Sequence, residues 1–302
     1  VICVDNFSTG TPAHLQNLLQ NPNFELLRHD INEPIDLESQ RELDRFHVRV
    51  HGIQEIYHLA CPVTEQSFEQ YRLATMQTNS TGWRNILELA AQYKTRVLFA
   101  SSSSLYETTS EPYVSEDARC WNDHLLPRAA YEESLRFAET MLHTYADIHH
   151  FPAKIVRVFQ TYGPRMKANE GHLLPDLIQA ALAQEDKEIP DSEDARFSLC
   201  HVTDLVDGLI KTMDHDMDFR VMNIGSDQEV RLGALVELVS RMTGTSARFR
   251  FRPQGEQTRV SLPNIHKARQ LLHWLPLMRL EDGLKGMIDY VRSTHHSAST
   301  FG

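Results

Sequence analysis

Five short apolar runs, each separated from the next by a longer stretch, constrain this chain more than any other feature of its sequence. They are Val1-Ile2-Cys3-Val4-Asp5, Phe24-Glu25-Leu26-Leu27-Arg28, residues 55–60, Thr95-Arg96-Val97-Leu98-Phe99-Ala100 and residues 153–159. Runs of this length and continuity read as parallel strands covered on both faces. Helical patterns fill the intervals near 11–20, 38–48, 71–93 and 130–148. The last is the clearest, with Leu135, Ala138, Leu142 and Tyr145 on one stripe. Regular alternation of strand and helix predicts an α/β chain built on a doubly wound parallel sheet.

From about residue 165 the alternation loosens. Helices are expected near 172–184, 202–213, 231–243 and 280–293, mixed with short strands at 220–224 and 248–252. We therefore expect a first domain over residues 1–165 and a smaller α+β lobe over 166–302, with 200–213 returning to the first domain. The chain opens on what reads as a core strand, with no initiator Met and no polar lead-in, which predicts the remainder of a longer protein. In a doubly wound sheet a cofactor's phosphates rest on a glycine-rich loop after the first strand. That strand and loop would precede Val1.

Charge narrows the partners. A formal net charge of −11 argues against a nucleic-acid or anionic-membrane surface, both of which need clustered Lys and Arg. A local arginine pocket for a small anion remains compatible with it. No apolar run approaches the ~20 residues of a membrane span, and no signal peptide is visible. Cys3, Cys61, Cys120 and Cys200 form no CxxC pair, which predicts a reduced, cytoplasmic protein. The pairs His149-His150 and His295-His296 lack the i, i+4 spacing of helical metal ligands, so no metal site is expected. Asn79-Ser80-Thr81 fits a glycosylation triplet but falls in a helical pattern, and is discounted.

Two positions carry chemistry. Asp5 ends a strand, where a carboxylate can accept both hydroxyls of an adenosine ribose and repel a 2′-phosphate, selecting NAD over NADP. Alone it is equally a turn or cap residue. Asn6-Phe7-Ser8-Thr9-Gly10 follows it, and Asp30-Ile31 closes the next strand, where an adenine edge would lie. Tyr131 stands near the start of the clearest helix, in Pro127-Arg128-Ala129-Ala130-Tyr131-Glu132-Glu133-Ser134-Leu135.

With Leu98-Phe99-Ala100-Ser101-Ser102-Ser103-Ser104-Leu105-Tyr106, Phe159-Gln160-Thr161-Tyr162-Gly163-Pro164-Arg165-Met166 and Tyr57-His58-Leu59-Ala60-Cys61-Pro62, these segments carry a resemblance. Arg28-His29-Asp30, Thr78-Asn79, His273-Trp274-Leu275-Pro276 and Leu280-Glu281-Asp282-Gly283-Leu284 extend it nearly end to end, interrupted around 38–54. The chain resembles the extended short-chain dehydrogenase/reductases, the NAD-dependent epimerase/dehydratases, and among them the UDP-glucuronate decarboxylases.

The resemblance implies a Rossmann-type fold, NAD, a UDP-sugar substrate and a homodimer joined through the helices near 71–93 and 130–148. In that family NAD takes a hydride from C4 of the sugar while a tyrosinate takes the hydroxyl proton. The resulting β-keto acid loses carbon dioxide, and the reduced cofactor returns the hydride. Transferred by position, Tyr131 matches the base, and Ser102 replaces the usual Thr beside the reacting oxygen. Asp5, Asn6, Phe7, Thr9, Gly10, Asp30, Ile31, Leu59, Thr75 and Thr161 match the cofactor side, and Tyr145, Arg165 and Arg259 the substrate side.

Departures fall on charged groups. The family's lysine, one helical turn after the tyrosine, is Leu135, and Arg136 points ~100° away around the helix. The acid/base carboxylate is Ser104, and the glycine after the following tyrosine is Glu107. Gln160 replaces an asparagine, an arginine position falls on Phe197 with Arg196 one place early, and a late arginine pair is Ser261-Leu262. Three readings follow: a decarboxylase-type enzyme with weak or lost turnover, a non-catalytic nucleotide-binding or interaction homologue, or another NAD-dependent sugar epimerase/dehydratase reaction.

Overall fold

The computed structural model describes residues 1–62, 68–106, 113–216, 221–253 and 262–298. Its strands are β1 (Ile2–Val4), β2 (Glu25–Leu27), β3 (Glu55–His58), β4 (Arg96–Ser102), β5 (Tyr113–Val114), β6 (Ala153–Val158) and β7 (Thr161–Tyr162). There follow β8 (Lys187–Ile189), β9 (Arg196–Ser198), β10 (Cys200–His201), β11 (Val221–Ile224), β12 (Glu229–Arg231), β13 (Phe249–Phe251) and β14 (Leu262–Pro263). The α-helices are α1 (Val48–His51), α2 (Phe68–Gln77), α3 (Trp83–Tyr93), α4 (Ala129–His149), α5 (Leu173–Ala183), α6 (Val202–Asp214), α7 (Leu232–Thr243), α8 (His266–Leu272) and α9 (Leu280–Ala298).

The central sheet is parallel, in the order β11-β6-β4-β3, and β1 and β2 form a separate parallel pair. The period of two in β4 decides its layering. Val97 and Phe99 enter one core, with Trp83, Leu87, Leu135, Ala138 and Leu142 from α3 and α4. Leu98 enters another on the opposite face, with Val156, Leu209, Met222, Ile224 and Trp274. The chain is therefore α/β with helices on both sheet faces, as the alternation predicts. Beyond residue 165, α6 and α8 pack on this sheet, and β11 (Val221–Ile224) forms one of its two edges. A further core of Leu177, Ile178, Leu235, Val239, Leu284 and Met287 joins α5, α7 and α9.

Two expected helices are much reduced. The interval 11–20 contains a single 3-10 turn, Pro12–Leu15, with no side-chain cap and no buried residue. Leu18 and Leu19 imitate a helical face but remain exposed. The interval 38–48 holds a 3-10 turn at Arg41–Phe46, which His47 stops by adopting a left-handed backbone (φ 48°). The long pattern at 71–93 is helical but contains a π-turn at Thr78–Gly82 between α2 and α3. Among the described residues, no helix is long and apolar enough to cross a membrane.

Candidate active site

Parallel strands deliver their carboxyl ends to one rim, and a doubly wound sheet binds its ligands there. Asp5, Asp30, Leu59, Ser102 and Thr161 all lie at or just beyond such ends. Ser102 is the last residue of β4 and pairs in register with Val158 of β6. Its Oγ accepts the main-chain N–H of Ser104 at 3.1 Å, capping the 3-10 turn Ser103–Leu105. The same hydroxyl hydrogen-bonds the Tyr131 phenol. The structure thus brings together the two residues expected to do the chemistry.

Their surroundings do not favour a tyrosinate. Burial pushes the Tyr131 phenol up to about 12, with the Cys61 thiol acting in the same direction, against smaller opposing pulls from Ser102 and Arg128. Arg128 is itself shared with Glu132 at 2.9 Å. Leu135, one turn along α4, is only 1% exposed and packs into the apolar core. Arg136 is no substitute: its Nη2 donates to Asn122 Oδ1 at 3.0 Å and lies 3.6 Å from Glu133. Ser104 Oγ is buried and has no hydrogen-bond partner among the described residues.

Beside Tyr131, the π-turn swings Asn79 toward α4. Its Nδ2 donates to Ser134 Oγ at 3.0 Å and to Cys61 Sγ at 3.6 Å. Asn79 is fully buried, so the glycosylation triplet is closed in the folded protein. Burial pushes the Cys61 thiol up to about 11. Behind the site, Arg157 of β6 grips Glu139 of α4 bidentately at 3.0 and 2.8 Å, with the Tyr106 ring 4.8 Å from its guanidinium. That buried pair fixes α4 against the sheet.

The second cluster surrounds Asp5. Its Oδ1 accepts the Phe7 N–H at 2.7 Å, and Phe7 is left-handed (φ 57°). Oδ2 faces Gly10, where a Cβ would lie only 3.0 Å away, so the bare glycine keeps a gap open at that carboxylate. Asn6 Nδ2 donates to Asp30 Oδ2 at 3.1 Å, and Asn32 gives both its N–H and its Nδ2 to Asp30 Oδ1 at 2.9 Å. The Asn32 N–H is the main cause holding the Asp30 carboxyl below its usual range. Ile31 abuts Gly82, whose Cβ would fall 2.9 Å from Ile31 Cγ1, and Asn85 Nδ2 donates to its carbonyl at 2.8 Å.

The other expected residues divide. Leu59 is exposed at the rim. The Thr161 hydroxyl donates to the Phe159 carbonyl at 2.9 Å, and the buried Thr75 hydroxyl to the Pro62 carbonyl at 3.1 Å, so Thr75 shapes the 59–62 loop from behind. The segment after β7 reaches the loop that follows Asp5: Arg165 Nη1 donates to the His14 carbonyl at 3.1 Å, and Lys167 Nζ donates to the Thr9 carbonyl. Tyr145 is not brought to the site. Fourteen residues beyond Tyr131 on α4, about 21 Å along the axis, it donates its hydroxyl to Glu88 at 2.9 Å. Arg259, Glu107 and Ser261 lie outside the described residues. Asn32, Lys167 and Arg128 were not anticipated. Only Asn32 had a local signal, an Asx pattern two residues after Asp30.

The sequence matches the family model described as the NAD dependent epimerase/dehydratase family over residues 1–225. It is 32% identical to UDP-glucuronic acid decarboxylase 1 of Xenopus tropicalis over 293 residues, covering 97% of this chain and 66% of that protein. UDP-glucuronic acid decarboxylase 5 of Arabidopsis thaliana is 32% identical over 288 residues, 94% of this chain and 79% of its own length. This chain thus spans about two thirds of the length of the frog relative. Among solved structures, UDP-glucuronic acid 4-epimerase from Bacillus cereus in complex with NAD superimposes with a TM-score of 0.81 at 25% identity, covering 98% of this chain and 91% of that one.

Proposed function

This chain belongs to the NAD-dependent epimerase/dehydratase family, and from that premise we propose that it binds NAD and a UDP-sugar at the strand-end rim, with UDP-glucuronate decarboxylation as its ancestral reaction and little or no turnover in this copy. The adenosine end fits the cofactor: Asp5 Oδ2 and the space left by Gly10 suit a ribose, and Ile31, held by Asn85, lies where an adenine edge would rest. NAD would supply a reversible hydride acceptor at the sugar's C4. The chain's own task is to hold that carbon's hydroxyl between Ser102 and Tyr131 and to remove its proton.

The observation that carries the proposal is Leu135, 1% exposed in the core, beside a phenol that burial pushes up to about 12. At pH 7 a group of that pKa is ionised about one part in 10⁵, which leaves almost no base. Ser104 offers no carboxylate as a second proton handler. The non-catalytic reading is favoured by the same two positions. Pairing of two copies through α2 and α4 fits the exposed Leu73, Met76, Phe137 and Ile148 on those helices. The test is product analysis: purified protein with NAD and UDP-glucuronate, following carbon dioxide, UDP-xylose and the 4-epimer. The proposal expects NAD binding with at most trace UDP-xylose. Sustained formation of the 4-epimer would replace it with an epimerase assignment.

A further inference from the structure

Two cations on the segment after β7 serve no step of the proposed reaction, yet both reach back to the segment that carries Asp5. Arg165 adopts a left-handed backbone (φ 71°), uncommon for a residue with a side chain, and places Nη1 3.1 Å from the His14 carbonyl. Lys167 donates Nζ to the Thr9 carbonyl and lies 3.4 Å from Glu170 Oε1. The His14 imidazole sits against this pair: burial, then Arg165 and Lys167, hold it below its usual range. The N–H of Asn169, two residues on, donates to Asp176 Oδ1 of α5 at 2.6 Å. The segment 165–169 is therefore moored to the second half of the chain at one end and to residues 9–14 at the other.

At the strand end Asp5 pairs by its main chain with Leu27 and His29, Asn6 Nδ2 donates to Asp30, the Arg28 guanidinium lies 6.0 Å from the Phe7 ring, and Phe7 and Ser8 give their N–H groups to Asp5 and Asn6. Beyond Ser8, as far as Leu15, the chain makes one uncapped 3-10 turn without a buried residue, and among the described residues little but the clasp holds it. The gap between Asp5 Oδ2 and Gly10 depends on where the main chain of Thr9 and Gly10 lies, and Lys167 holds the Thr9 carbonyl. A hydrogen bond from an ionised donor to a carbonyl is among the stronger ones available.

We infer that Lys167 and Arg165 are positioning residues for the adenosine half of the dinucleotide, clasping Thr9 and His14 so that the ribose gap beside Asp5 stays open. Neither touches the cofactor. They act through the loop, and they tie the cofactor end to the lobe that carries α5, so movement of that lobe and affinity for the dinucleotide are coupled. The inference rests on the proposed cofactor reading.

The test compares the purified protein with Lys167→Met, Lys167→Arg and Arg165→Met by calorimetric titration with NAD, amide hydrogen exchange of residues 6–15 without ligand, and a thermal melt. Lys167→Met should raise the Kd for NAD about tenfold, the size expected for losing one charge-assisted hydrogen bond. It should also speed exchange across 8–15, while leaving the melting temperature within about 2 °C. Arg165→Met should act in the same direction, and Lys167→Arg should restore both affinity and protection. A purely surface role for Lys167 predicts unchanged exchange and a Kd within about twofold of the unaltered protein, and that result would overturn the inference. Failure of the unaltered protein to bind NAD would instead overturn the cofactor reading beneath it.

Discussion

Replacing Leu135 with lysine sets two opposed effects on one side chain, and the structure sizes both. Leu135 is 1% exposed among Trp83, Leu87, Ala138 and Leu142. Truncating a buried leucine costs about 2–5 kcal/mol. A lysine stem recovers part of that packing while its ammonium adds a desolvation penalty. A net loss of roughly 3 kcal/mol is expected. The opposite effect falls on Tyr131. Side chains four apart on a helix are ~5–6 Å apart, and a unit charge at ~6 Å in an effective dielectric of 20 contributes about 2.8 kcal/mol, roughly two pKa units. From a starting value of about 12, the phenol would return toward ~10, and its ionised fraction at pH 7 would rise about a hundredfold. The assay is bound NADH at 340 nm after mixing with UDP-glucuronate, beside urea denaturation from pH 7 to 10. Leu135→Lys should reduce NAD about a hundredfold faster than the unaltered protein at pH 7. It should be less stable there but recover as the pH rises, because a buried ammonium has a depressed pKa. The unfolded state then binds more protons, and stability increases with pH. A variant as stable as the parent and no faster would refute both the placement of Leu135 in the core and its proximity to the base.

Two further perturbations test the scaffold. Burial lowers His58 to about 3, beside the stacked rings of Trp83 and Phe99, and among the described residues its Nε2 has no hydrogen-bond partner. Its depressed folded pKa makes stability fall as pH drops from the unfolded value of 6.5 toward 3, so His58→Phe should flatten the melting temperature across pH 7 to 4. An unchanged pH slope would show that the imidazole reaches solvent. Glu139→Gln strips the carboxylate from the buried Arg157 guanidinium and should cost about 3–5 kcal/mol by chemical denaturation. A loss under about 1 kcal/mol would mean that the pair is hydrated.

The sheet was legible because its strands carry their layering in local pattern: Val97 and Phe99 alternate with Leu98, and α4 shows its stripe at Leu135, Ala138 and Leu142. The failures have physical causes. The i, i+3, i+4 spacing of Leu15, Leu18 and Leu19 looks helical, but no core lies beneath it to complete the helix. His47 ends its turn through a left-handed backbone that nothing local announces. The place of β11 in the central sheet is a contact made across more than sixty residues of sequence with β6, beyond any local pattern. At the site, Tyr131 and Ser102 are singled out by the family resemblance, and the structure sets them on a first helical turn and a strand end, within hydrogen-bond reach of each other. Tyr145, matched to the substrate side by resemblance alone, is carried by helix rise about 21 Å from the base, a distance that the matching of motifs does not convey. The clasp from Lys167 to Thr9 spans 158 residues, and no spacing rule could have found it.

The central claim is that the fold and the Ser102–Tyr131 pair persist while the base has lost its activation. It is tested most directly by single-turnover NADH formation at 340 nm from UDP-glucuronate, comparing the unaltered protein with Tyr131→Phe. If Tyr131 is held near 12, its hydroxyl contributes little at pH 7, and the two rates should agree within about tenfold. A rate in the unaltered protein a thousandfold or more above Tyr131→Phe, near the ordinary turnover of ~1–10³ s⁻¹, would show an active base and contradict the account.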